Sequence, residues 1–443
     1  MFVLTAILQT SSLVTGFTPS STAIRSLRSH QVSLFSSHEN HDVGSENPVL
    51  SPIYDDDHEA FSRRSIASIQ RYSRLPVWPA WNGALIFILS RFAAVFKYRG
   101  DGIAWIEDLI GGRVCPNFFD GRTTSPFLLL VHHSHSFFQY DILRHFQSNF
   151  ILPEGFPSHP HRGFITLTYC LKGGMVHRDS TGVKQVYGAE NRHRDDDKGQ
   201  TLAQWLIAGA GMLHEEMWDI NHDEDGIWSK QELFQFWINL PKERKMDSPQ
   251  IHLLTTSTDR DRKEARGALS APIVRSPCGA QDTLILAGEY MGQHSEVPTQ
   301  SPMTILHVRI NIDSTLEKEN AQNKWSMDLP KSYKTVILYM RQGSATVEGV
   351  NIPAHSTATL KSTGCKLIVE GNESTGADFL LLAGEPLVDP VEMGGSMVMD
   401  SREGIDLAYK DYEMGKMGVP WDYSLDDSKW REHVEKFPSK YKK

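Results

Sequence analysis

Two pairs of side chains with the spacing of metal ligands occur in the first half of the sequence. His159 and His161 are two residues apart, and His214 and Glu216 have the same spacing further along. Alternate side chains of an extended strand leave the same face about 6–7 Å apart, so each pair can point inward from its own strand. Two such strands facing one another would bring three imidazoles and one carboxylate together. That set of donors, with positions left for water or substrate, suits a mononuclear transition metal and favours Fe(II).

The residues after the first pair predict a strand that lines a β-barrel. From His159 onward the odd positions become apolar, as at Ile165, whereas the even positions Thr166 and Thr168 are more polar. This alternation predicts that the histidines share a face with the apolar residues, and that this face is the lining of the barrel. A dry lining around a metal controls solvent access and tunes its reactivity.

These motifs resemble those of the pirin family. The N-terminal cupin domain of pirins is similar to HPHRGF (159–164), HRDS (177–180), QWLIAGAGMLHEEM (204–217) and FQFWINLP (234–241). The close of their second cupin domain is similar to LLLAGEPLVDPVEMGGSMVMDSREGIDLAYKDYEMGKMG (380–418). The resemblance covers roughly residues 98–416 and is thin between about 245 and 375.

The resemblance implies an iron protein with one of two functions. Pirins hold one iron in the first barrel. Some oxidise flavonols such as quercetin with dioxygen, and others are iron-dependent, redox-sensitive binding partners of transcription factors. We therefore expect either a dioxygenase for a flavonol-like or other enolic aromatic substrate, or a non-enzymatic iron- and redox-sensing interaction protein.

The dioxygenase interpretation gives further residues a role. Glu216 would remove the hydroxyl proton of a substrate bound next to it. The flat apolar walls for an aromatic ring are expected from Phe156, Met212, Phe234 and Phe236, with packing of the core as the alternative. Pirins usually carry a carboxylate four residues after the second histidine, where this sequence has Ile165. We therefore expect a less polar pocket than is usual in the family.

The sequence predicts an all-β fold of two cupin-type (jelly-roll) barrels in tandem. Short alternating runs punctuated by Gly and Pro recur in both halves, as such barrels require. The predicted strands are 127–131, 163–171, 202–207 and 234–240, then 283–287, 303–310, 335–340, 345–347, 357–360, 365–370 and 379–382. They place the N-terminal, metal-binding cupin at 98–270 and the C-terminal cupin at 271–416. The second barrel has no H-x-H and no His/Glu pair at alternate positions, so we expect it to lack a metal site and to support the first.

Two extensions flank the barrels. Residues 401–412 have the apolar spacing of a helix after an Asp/Ser start, and the tail 417–443 is predicted to pack loosely or fray. On the N-terminal side, 61–97 is predicted to be a helical extension. Its most apolar run, 84–96, is too short to span a bilayer comfortably. This favours a helix packed on the domain over an anchor on a membrane surface.

Residues 1–60 have the composition of a targeting presequence followed by a disordered linker. The first sixteen residues are apolar and uncharged, and 17–37 is rich in Ser and Thr, contains Arg25 and Arg28, and has no acidic residue. A signal-like core followed by a transit-peptide-like stretch is similar to the bipartite presequences of algae with secondary plastids. We expect import into a plastid, with mitochondrial or secretory routing and an unprocessed tail as the alternatives.

The overall composition narrows the class of protein. The 443 residues are enough for two cores, and a net charge of −9 argues against binding to nucleic acid. The four cysteines, Cys115, Cys170, Cys278 and Cys365, form no C-x-x-C, which argues against a disulfide framework or a structural zinc. We expect a monomer with reduced thiols and no membrane span, and with a small aromatic substrate or a protein partner.

Other histidines offer a weaker alternative set of ligands. His132, His133 and His135 form a cluster upstream of the family motif, where a strand is not required by the pattern. His177 and His193 are out of register with the two metal pairs. They are predicted to be surface groups or to support the ligands from outside.

Two loops also have alternative interpretations. Residues 221–232 have much of the ligand spacing of an EF-hand calcium loop. Because a strand is predicted on each side rather than a helix, an acidic hairpin connection is favoured. The charged stretch within 183–198 is predicted to be a solvated insertion, with a lid over the barrel as the alternative.

Overall fold

The computed structural model describes residues 62–71, 113–138, 140, 153–188, 201–220, 228–256, 267–311 and 323–442. All of them lie within the unit Asp57–Lys443. β-Strands account for more than half of the described residues, and two helices follow at their C-terminal end. The all-β class predicted from the sequence is confirmed.

The strands of the described residues are β1 (Ile66–Arg71), β2 (Arg113–Phe118), β3 (Phe127–Phe138), β4 (Gly155–His161), β5 (Phe164–Lys172), β6 (Gly174–Asp179), β7 (Lys184–Gly188), β8 (Thr201–Ile207), β9 (Met212–Trp218), β10 (Trp228–Asn239), β11 (Gln250–Thr255), β12 (Leu269–Ser270), β13 (Ile273–Arg275), β14 (Gln281–Ala287), β15 (Glu289–Tyr290), β16 (Gln293–His294), β17 (Met303–Ile310), β18 (Lys324–Asp328), β19 (Thr335–Val347), β20 (Val350–Pro353), β21 (Ser356–Leu360), β22 (Lys366–Gly371), β23 (Ala377–Gly384), β24 (Glu392–Gly394) and β25 (Met397–Met399). The helices are a 3₁₀ turn at Lys242–Arg244, α1 (Arg402–Glu413) and α2 (Asp427–Lys436). Each run predicted to be a strand overlaps one of the observed strands.

The first domain consists of two sheets packed face to face. The larger sheet has the order β12-β11-β8-β5-β10-β3-β2, and the smaller one has the order β4-β9-β6-β7. Their pairs are antiparallel except for the short parallel pair β11–β12. Between the sheets, Phe137, Cys170 and Leu233 of the larger sheet pack with Met175 and Trp218 of the smaller one. This space is the interior in which the metal-binding residues were expected.

The second domain is built on a ten-stranded sheet. Its main path is β1-β21-β19-β23-β17-β14-β13, and β18, β20 and β22 pair off this path. Strand β17 directs Leu306 and Val308 into the core of this domain, whereas Ile305 belongs to a different core. The alternation follows from the period of two in a strand.

The N-terminal extension contributes a strand where a helix was predicted. Ile66–Arg71 pairs antiparallel with β21 at the edge of the second domain's sheet, so the helical prediction for 61–97 is wrong over these residues. Ile66 and Ile69 have helical spacing, but a short isolated helix is marginal in water. The sheet edge instead supplies partners for the backbone N–H and C=O groups. Residues 72–97, which include the apolar run 84–96, lie outside the described residues.

A large apolar core joins the two domains. Leu167, Phe234 and Phe236 of the first domain pack in one cluster with Tyr339 and Leu382 of the second. The larger sheet of the first domain therefore buries both of its faces. One face covers the interior of its own domain, and the other contacts the neighbouring domain.

The turn between β4 and β5 determines which side chains of β5 face the interior of the first domain. Gly163 has a φ of +81°, and a Cβ atom there would lie 1.9 Å from the carbonyl oxygen of Val398, so only glycine fits. After this turn Ile165 and Leu167 pack between the domains, while Thr168 faces the interior of the first domain. The predicted face shared by the histidines and the odd residues of β5 is therefore wrong. Ile165 does not line the interior of the first domain, so the expectation of a less polar pocket loses the residue on which it was based.

The two helices α1 and α2 pack the C-terminal end against the rest of the protein. The hydroxyl group of Ser401 accepts a hydrogen bond from the backbone N–H of Gly404 at 3.1 Å and caps α1, as predicted. The prediction that 417–443 packs loosely is wrong, because Trp421 and Trp430 are buried in a cluster with Leu213 of β9. No helix among the described residues is long and apolar enough to cross a membrane.

Candidate metal centre

Three histidine side chains converge in the interior of the first domain. The Nε2 atom of His159 lies 3.2 Å from Nε2 of His161 and 3.0 Å from Nε2 of His214. Within the described part of the chain, these three form the group whose potential ligand atoms all lie within 4.8 Å of one another. His161 and His214 are buried and His159 is half-buried. The imidazoles that were expected to meet therefore lie side by side.

The pairing of β4 with β9 brings these rings together. His159 stands opposite His214 in the register, after an irregularity that begins at Phe156. Opposed residues of an antiparallel pair have Cβ atoms about 4.5–5.5 Å apart. The ring centroids of His159 and His214 are accordingly 4.4 Å apart, and those of His159 and His161 are 4.7 Å apart.

Their surroundings favour the neutral form of these imidazoles. Burial lowers the pKa of His159, His161 and His214. The Nδ1–H of His159 donates to the carbonyl oxygen of Pro157 at 2.8 Å. Because a carbonyl oxygen can only accept, this bond places the proton on Nδ1 and leaves the Nε2 lone pair facing the other two rings. A neutral ring oriented by an outer hydrogen bond is the form that binds a metal ion.

The spacing of the nitrogens also fits a metal ion. Metal–nitrogen bonds of about 2.0–2.1 Å place two adjacent ligands at right angles about 3 Å apart. The observed separations from His159 Nε2 are 3.0 and 3.2 Å. Since imidazole suits iron, zinc, copper and nickel, the three residues are a candidate site for a divalent transition metal.

Glu216 lies in the same interior and is held by three hydrogen bonds. Thr168 Oγ1 and the Tyr187 hydroxyl group donate to Oε1 at 2.9 and 3.2 Å, and the Gln235 amide donates to Oε2 at 2.9 Å. Its oxygens are not members of the 4.8 Å group found among the described residues. A carboxylate has about four acceptor positions. One position on Oε2 therefore remains for a fourth metal bond or for a proton.

His177 supports the site from the neighbouring strand. Its Nε2 lies 2.9 Å from Oδ2 of Asp179, and its ring centroid lies 5.4 Å from that of His214. Both His177 and Asp179 are fully buried, so His177 is not a surface group. The spacing of His177 and Asp179 repeats that of the two metal pairs, and this signal could have identified the contact. His193 lies outside the described residues.

Two of the four side chains predicted as walls of the pocket pack inside the first domain. Phe156 is partly buried, and its ring centroid lies 5.8 Å from that of His133. Met212 is fully buried against Leu206 and Ala208.

The other two predicted walls do not line the metal site. Phe234 and Phe236 belong to the core between the domains, where Phe234 stacks on His132 with ring centroids 4.4 Å apart. Gln235 stands between them on β10 and faces the opposite way, toward Glu216. The alternation of β10 directs Phe234 and Phe236 out of the interior, so they have the alternative role expected for them, packing of the core.

Two aromatic residues that were not singled out flank the histidines instead. The ring centroid of His161 lies 4.9 Å from that of Phe164 and 5.7 Å from that of Trp237. Trp237 is adjacent to Phe236 in the sequence. The FQFWINLP motif therefore contained an aromatic residue for this face, but the prediction placed the inward-facing positions of β10 one residue too early.

The second histidine cluster does not form a metal-binding group among the described residues. Strand β3 includes all three positions and separates them by face. His132 lies 3.0 Å from both Glu232 and Tyr339 in the core between the domains. On the other face, His133 Nδ1 lies 3.4 Å from His135 Nε2.

The structure disfavours the calcium-loop alternative for 221–232, because the residue at its twelfth position, Glu232, forms an ion pair instead. Glu232 accepts hydrogen bonds from two nitrogens of the Arg341 guanidinium at 2.7 and 2.8 Å. Strand β10 already contains Glu232, as expected for a connection between strands. Residues 221–227 of this loop, and 189–198 of the charged insertion, lie outside the described residues.

Two cupin-like domains, with a histidine cluster inside the first, define a bicupin. Residues 113–238 match the family model described as Pirin, and residues 313–418 match the model of the Pirin C-terminal cupin domain. The chain is 31% identical over 303 residues to Pirin-1 of Arabidopsis thaliana, across 68% of this chain and 85% of that protein. It is also 31% identical over 271 residues to Pirin of Homo sapiens, across 60% and 79%. The chain belongs to the pirin family.

A relative in Pseudomonas aeruginosa is 30% identical over 295 residues, across 63% of this chain and 90% of that protein. Its name provisionally assigns it quercetin 2,3-dioxygenase activity. A crystal structure of quercetin 2,3-dioxygenase from Acinetobacter baumannii matches with a TM-score of 0.57 and 22% identity, over 81% of this chain and 99% of that chain. This structural likeness shows the fold.

Proposed function

We propose that this chain is an Fe(II)-dependent dioxygenase for a flavonol-like (quercetin-type) or other enolic aromatic substrate. The observation that supports it most directly is the convergence of three neutral imidazole nitrogens in a buried interior beside the Glu216 carboxylate. The Pseudomonas aeruginosa relative supports the same class of reaction.

The metal would be held by His159, His161 and His214, with Oε2 of Glu216 available as a fourth ligand. Such a set leaves positions open for substrate. When bound, Fe(II) would supply electron transfer to dioxygen, which side chains alone do not provide.

The remaining steps belong to side chains of this chain. If the three histidines alone hold the metal, Glu216 can take the hydroxyl proton of the substrate on the free acceptor position of Oε2. The hydrogen bonds from Thr168, Tyr187 and Gln235 fix the carboxylate, so that this position has a defined direction. Positioned groups of this kind reduce the reorganisation needed during the reaction.

Aromatic and apolar side chains next to the candidate site would form the contacts of a flat apolar ligand. Phe164 and Trp237 shield His161 from one side. Phe156 and Met212 are proposed as further walls for the aromatic ring. These side chains would also exclude water from the reacting groups.

Metal analysis of protein purified without oxygen tests the site. We expect the wild type to contain iron and the His159→Ala/His161→Ala variant to lose it. His294→Ala is the matched control, since His294 is an exposed histidine in the second domain. Equal metal contents in the wild type and the double variant would refute the proposed centre.

Oxygen uptake with a panel of flavonols tests the reaction. We expect the iron-loaded protein to consume oxygen with at least one flavonol, and the double variant to consume none above the control without enzyme. Iron-loaded protein that is inactive with the whole panel would overturn the dioxygenase proposal. That result would favour the non-enzymatic, iron- and redox-sensing interaction protein.

We also propose that residues 1–60 direct the chain to a plastid. The support is their composition, a signal-like core followed by an acid-free Ser/Thr stretch with Arg25 and Arg28. A fluorescent protein fused behind residues 1–60 should enter the plastid of an alga with secondary plastids. Retention in the cytosol, or delivery to mitochondria, would contradict the proposal.

A further inference from the structure

The segment 419–442, here called the C-terminal strap, follows the part of the chain that matches the pirin family models, which ends at residue 418. The strap contains α2 and packs against the smaller sheet of the first domain. Trp421 and Trp430 of the strap share a buried cluster with Leu213 of β9. The strap therefore covers the reverse side of the strand that carries two of the proposed metal-binding residues.

Glu215 is the residue through which the strap contacts β9 by hydrogen bonds. It stands between His214 and Glu216, so the alternation of the strand directs it to the opposite face. Its side chain is buried, and both of its oxygens are bound. The Nε of Arg178 donates to Oε1, and the indole N–H of Trp421 donates to Oε2 at 2.6 Å. A carboxylate held at both oxygens fixes the orientation of the strand at this point.

The strap also fixes Arg178, the other partner of Glu215. The Nη1 and Nη2 of Arg178 donate to the backbone carbonyl oxygens of Leu425 and Tyr423 at 2.7 and 3.1 Å. The guanidinium carbon lies 5.6 Å from the ring centroid of Trp430. Each guanidinium nitrogen thus has an acceptor, one on β9 and two on the strap. We call the unit of Arg178, Glu215 and Trp421 the Glu215 clamp.

We infer that the Glu215 clamp positions His214 and Glu216 for metal binding, so that the C-terminal strap is part of the machinery of the metal centre. The inference rests on the proposed function. Neighbouring residues of a strand share their peptide groups, so a rotation at Glu215 would turn the ring of His214 away from His159, whose Nε2 is 3.0 Å away. Hydrogen-bond partners outside the ligands commonly change metal affinity by about 10–100-fold. Because the clamp acts on the ligands through the backbone, we expect its loss to change metal affinity by about three- to tenfold.

A matched pair of tryptophan variants tests the clamp. Trp421→Phe removes the N–H donor to Glu215 and keeps an aromatic ring. Trp430→Phe makes the same change in the same cluster and keeps an aromatic ring beside Arg178, but the indole nitrogen of Trp430 has no hydrogen-bond partner among the described residues. Co(II) is the probe, because its visible spectrum reports the geometry of its ligands. We expect Trp421→Phe to raise the Kd for Co(II) about three- to tenfold and to shift the spectrum, and Trp430→Phe to change neither.

Both tryptophan variants are expected to lower the thermal midpoint Tm, because both change the packing of the same cluster. A change in Co(II) affinity that only Trp421→Phe shows is therefore an effect of positioning. Equal affinities and spectra in the two variants would overturn the clamp, whatever their Tm values. Arg178→Lys keeps the charge but loses the planar fork of donors, and the same loss of affinity is expected from it. It therefore decides the matter if Trp421→Phe does not fold. Wild-type protein that binds no Co(II) would overturn the metal centre itself, which distinguishes the two failures.

Discussion

Glu216 shows how side chains from separate strands orient one buried carboxylate. Its three donors, Thr168, Tyr187 and Gln235, come from strands β5, β7 and β10, so the carboxylate is fixed from three directions. None of these residues is adjacent to Glu216 in the sequence. The motif around His214 and Glu216 could therefore indicate the carboxylate but not its orientation.

Glu216→Gln is expected to remove most of the dioxygenase activity. The amide has nearly the same shape but cannot take the substrate's proton, and a general base contributes about 10²–10⁴-fold to the rate. The measurement is kcat/KM for flavonol oxidation with the metal content of the same samples, and Glu243→Gln at an exposed position is the control. A variant that holds metal and keeps more than about a tenth of the activity would show that the proton goes elsewhere. Loss of the metal would instead make Glu216 a required ligand.

At the scale of elements, the turn between β4 and β5 determines which side chains of β5 face the candidate metal centre. Lys245 holds the backbone of this turn by hydrogen bonds. Its Nζ donates to the carbonyl oxygens of Gly163 and Val398 at 2.8 and 3.2 Å. The same Nζ donates to Oδ1 of Asn239 at 2.5 Å. The turn therefore links the end of β4, the end of β10 and strand β25.

Gly163→Ala is expected to destabilise the protein more than Gly349→Ala. Both glycines have positive φ, +81° and +78°, so alanine at either position costs about 1–2 kcal/mol. A Cβ at Gly163 would also lie 1.9 Å from Val398 O, whereas nothing in the described part of the chain lies within 4 Å of one at Gly349. Urea denaturation should show an additional loss of at least about 2 kcal/mol for Gly163→Ala. Equal losses would mean that the turn relaxes without cost.

Lys245 should make the stability of this turn depend on pH. Burial lowers its pKa to about 7, whereas an unfolded lysine keeps its proton up to about pH 10.4. Between these values the unfolded state binds more protons, so the free energy of unfolding rises with pH. From pH 7 to 9 the wild type should gain up to about 2–3 kcal/mol relative to Lys245→Met. The exposed Lys331→Met is the control, and a wild-type curve parallel to that of Lys245→Met would contradict the expectation.

At the scale of the whole molecule, a chain of polar side chains crosses the apolar core between the domains. Consecutive members lie within 3.0 Å in the order Tyr339, His132, Glu232, Arg341, Asp378, His307 and Tyr169. Arg341 connects the carboxylates of the two domains, Glu232 of the first and Asp378 of the second. Burial alone would raise the pKa of Glu232, but hydrogen bonds from His132 and Arg341 hold it below its usual range.

Arg341→Met is expected to weaken the association of the two domains strongly. It leaves two buried carboxylates without their shared counter-charge, and breaking a buried pair typically costs about 3–5 kcal/mol. Adding Glu232→Gln and Asp378→Asn to this variant should recover part of the loss, because no uncompensated charge then remains. Urea denaturation of the single, double and triple variants gives the coupling energies. Coupling energies near zero would show that the ions do not act together.

The sequence by itself determined the class of this protein. Its two alternating pairs of candidate metal ligands, the positions of most strands and the helix α1 are encoded in local periods and turn residues. These properties depend on neighbours in the sequence, so the convergence of His159, His161 and His214 and the two-barrel fold could be predicted.

Only the tertiary structure decided which way each face points and what covers it. The turn at Gly163 shifts the phase of β5, and a shift of one residue sends every side chain to the other face. For the same reason Phe234 and Phe236 lie between the domains while Gln235 reaches Glu216. The strand Ile66–Arg71 and the strap residue Trp421 take their positions from partners far away in the sequence, at β21 and at Glu215. Such pairings depend on the assembled surface of the whole chain, which no local pattern encodes.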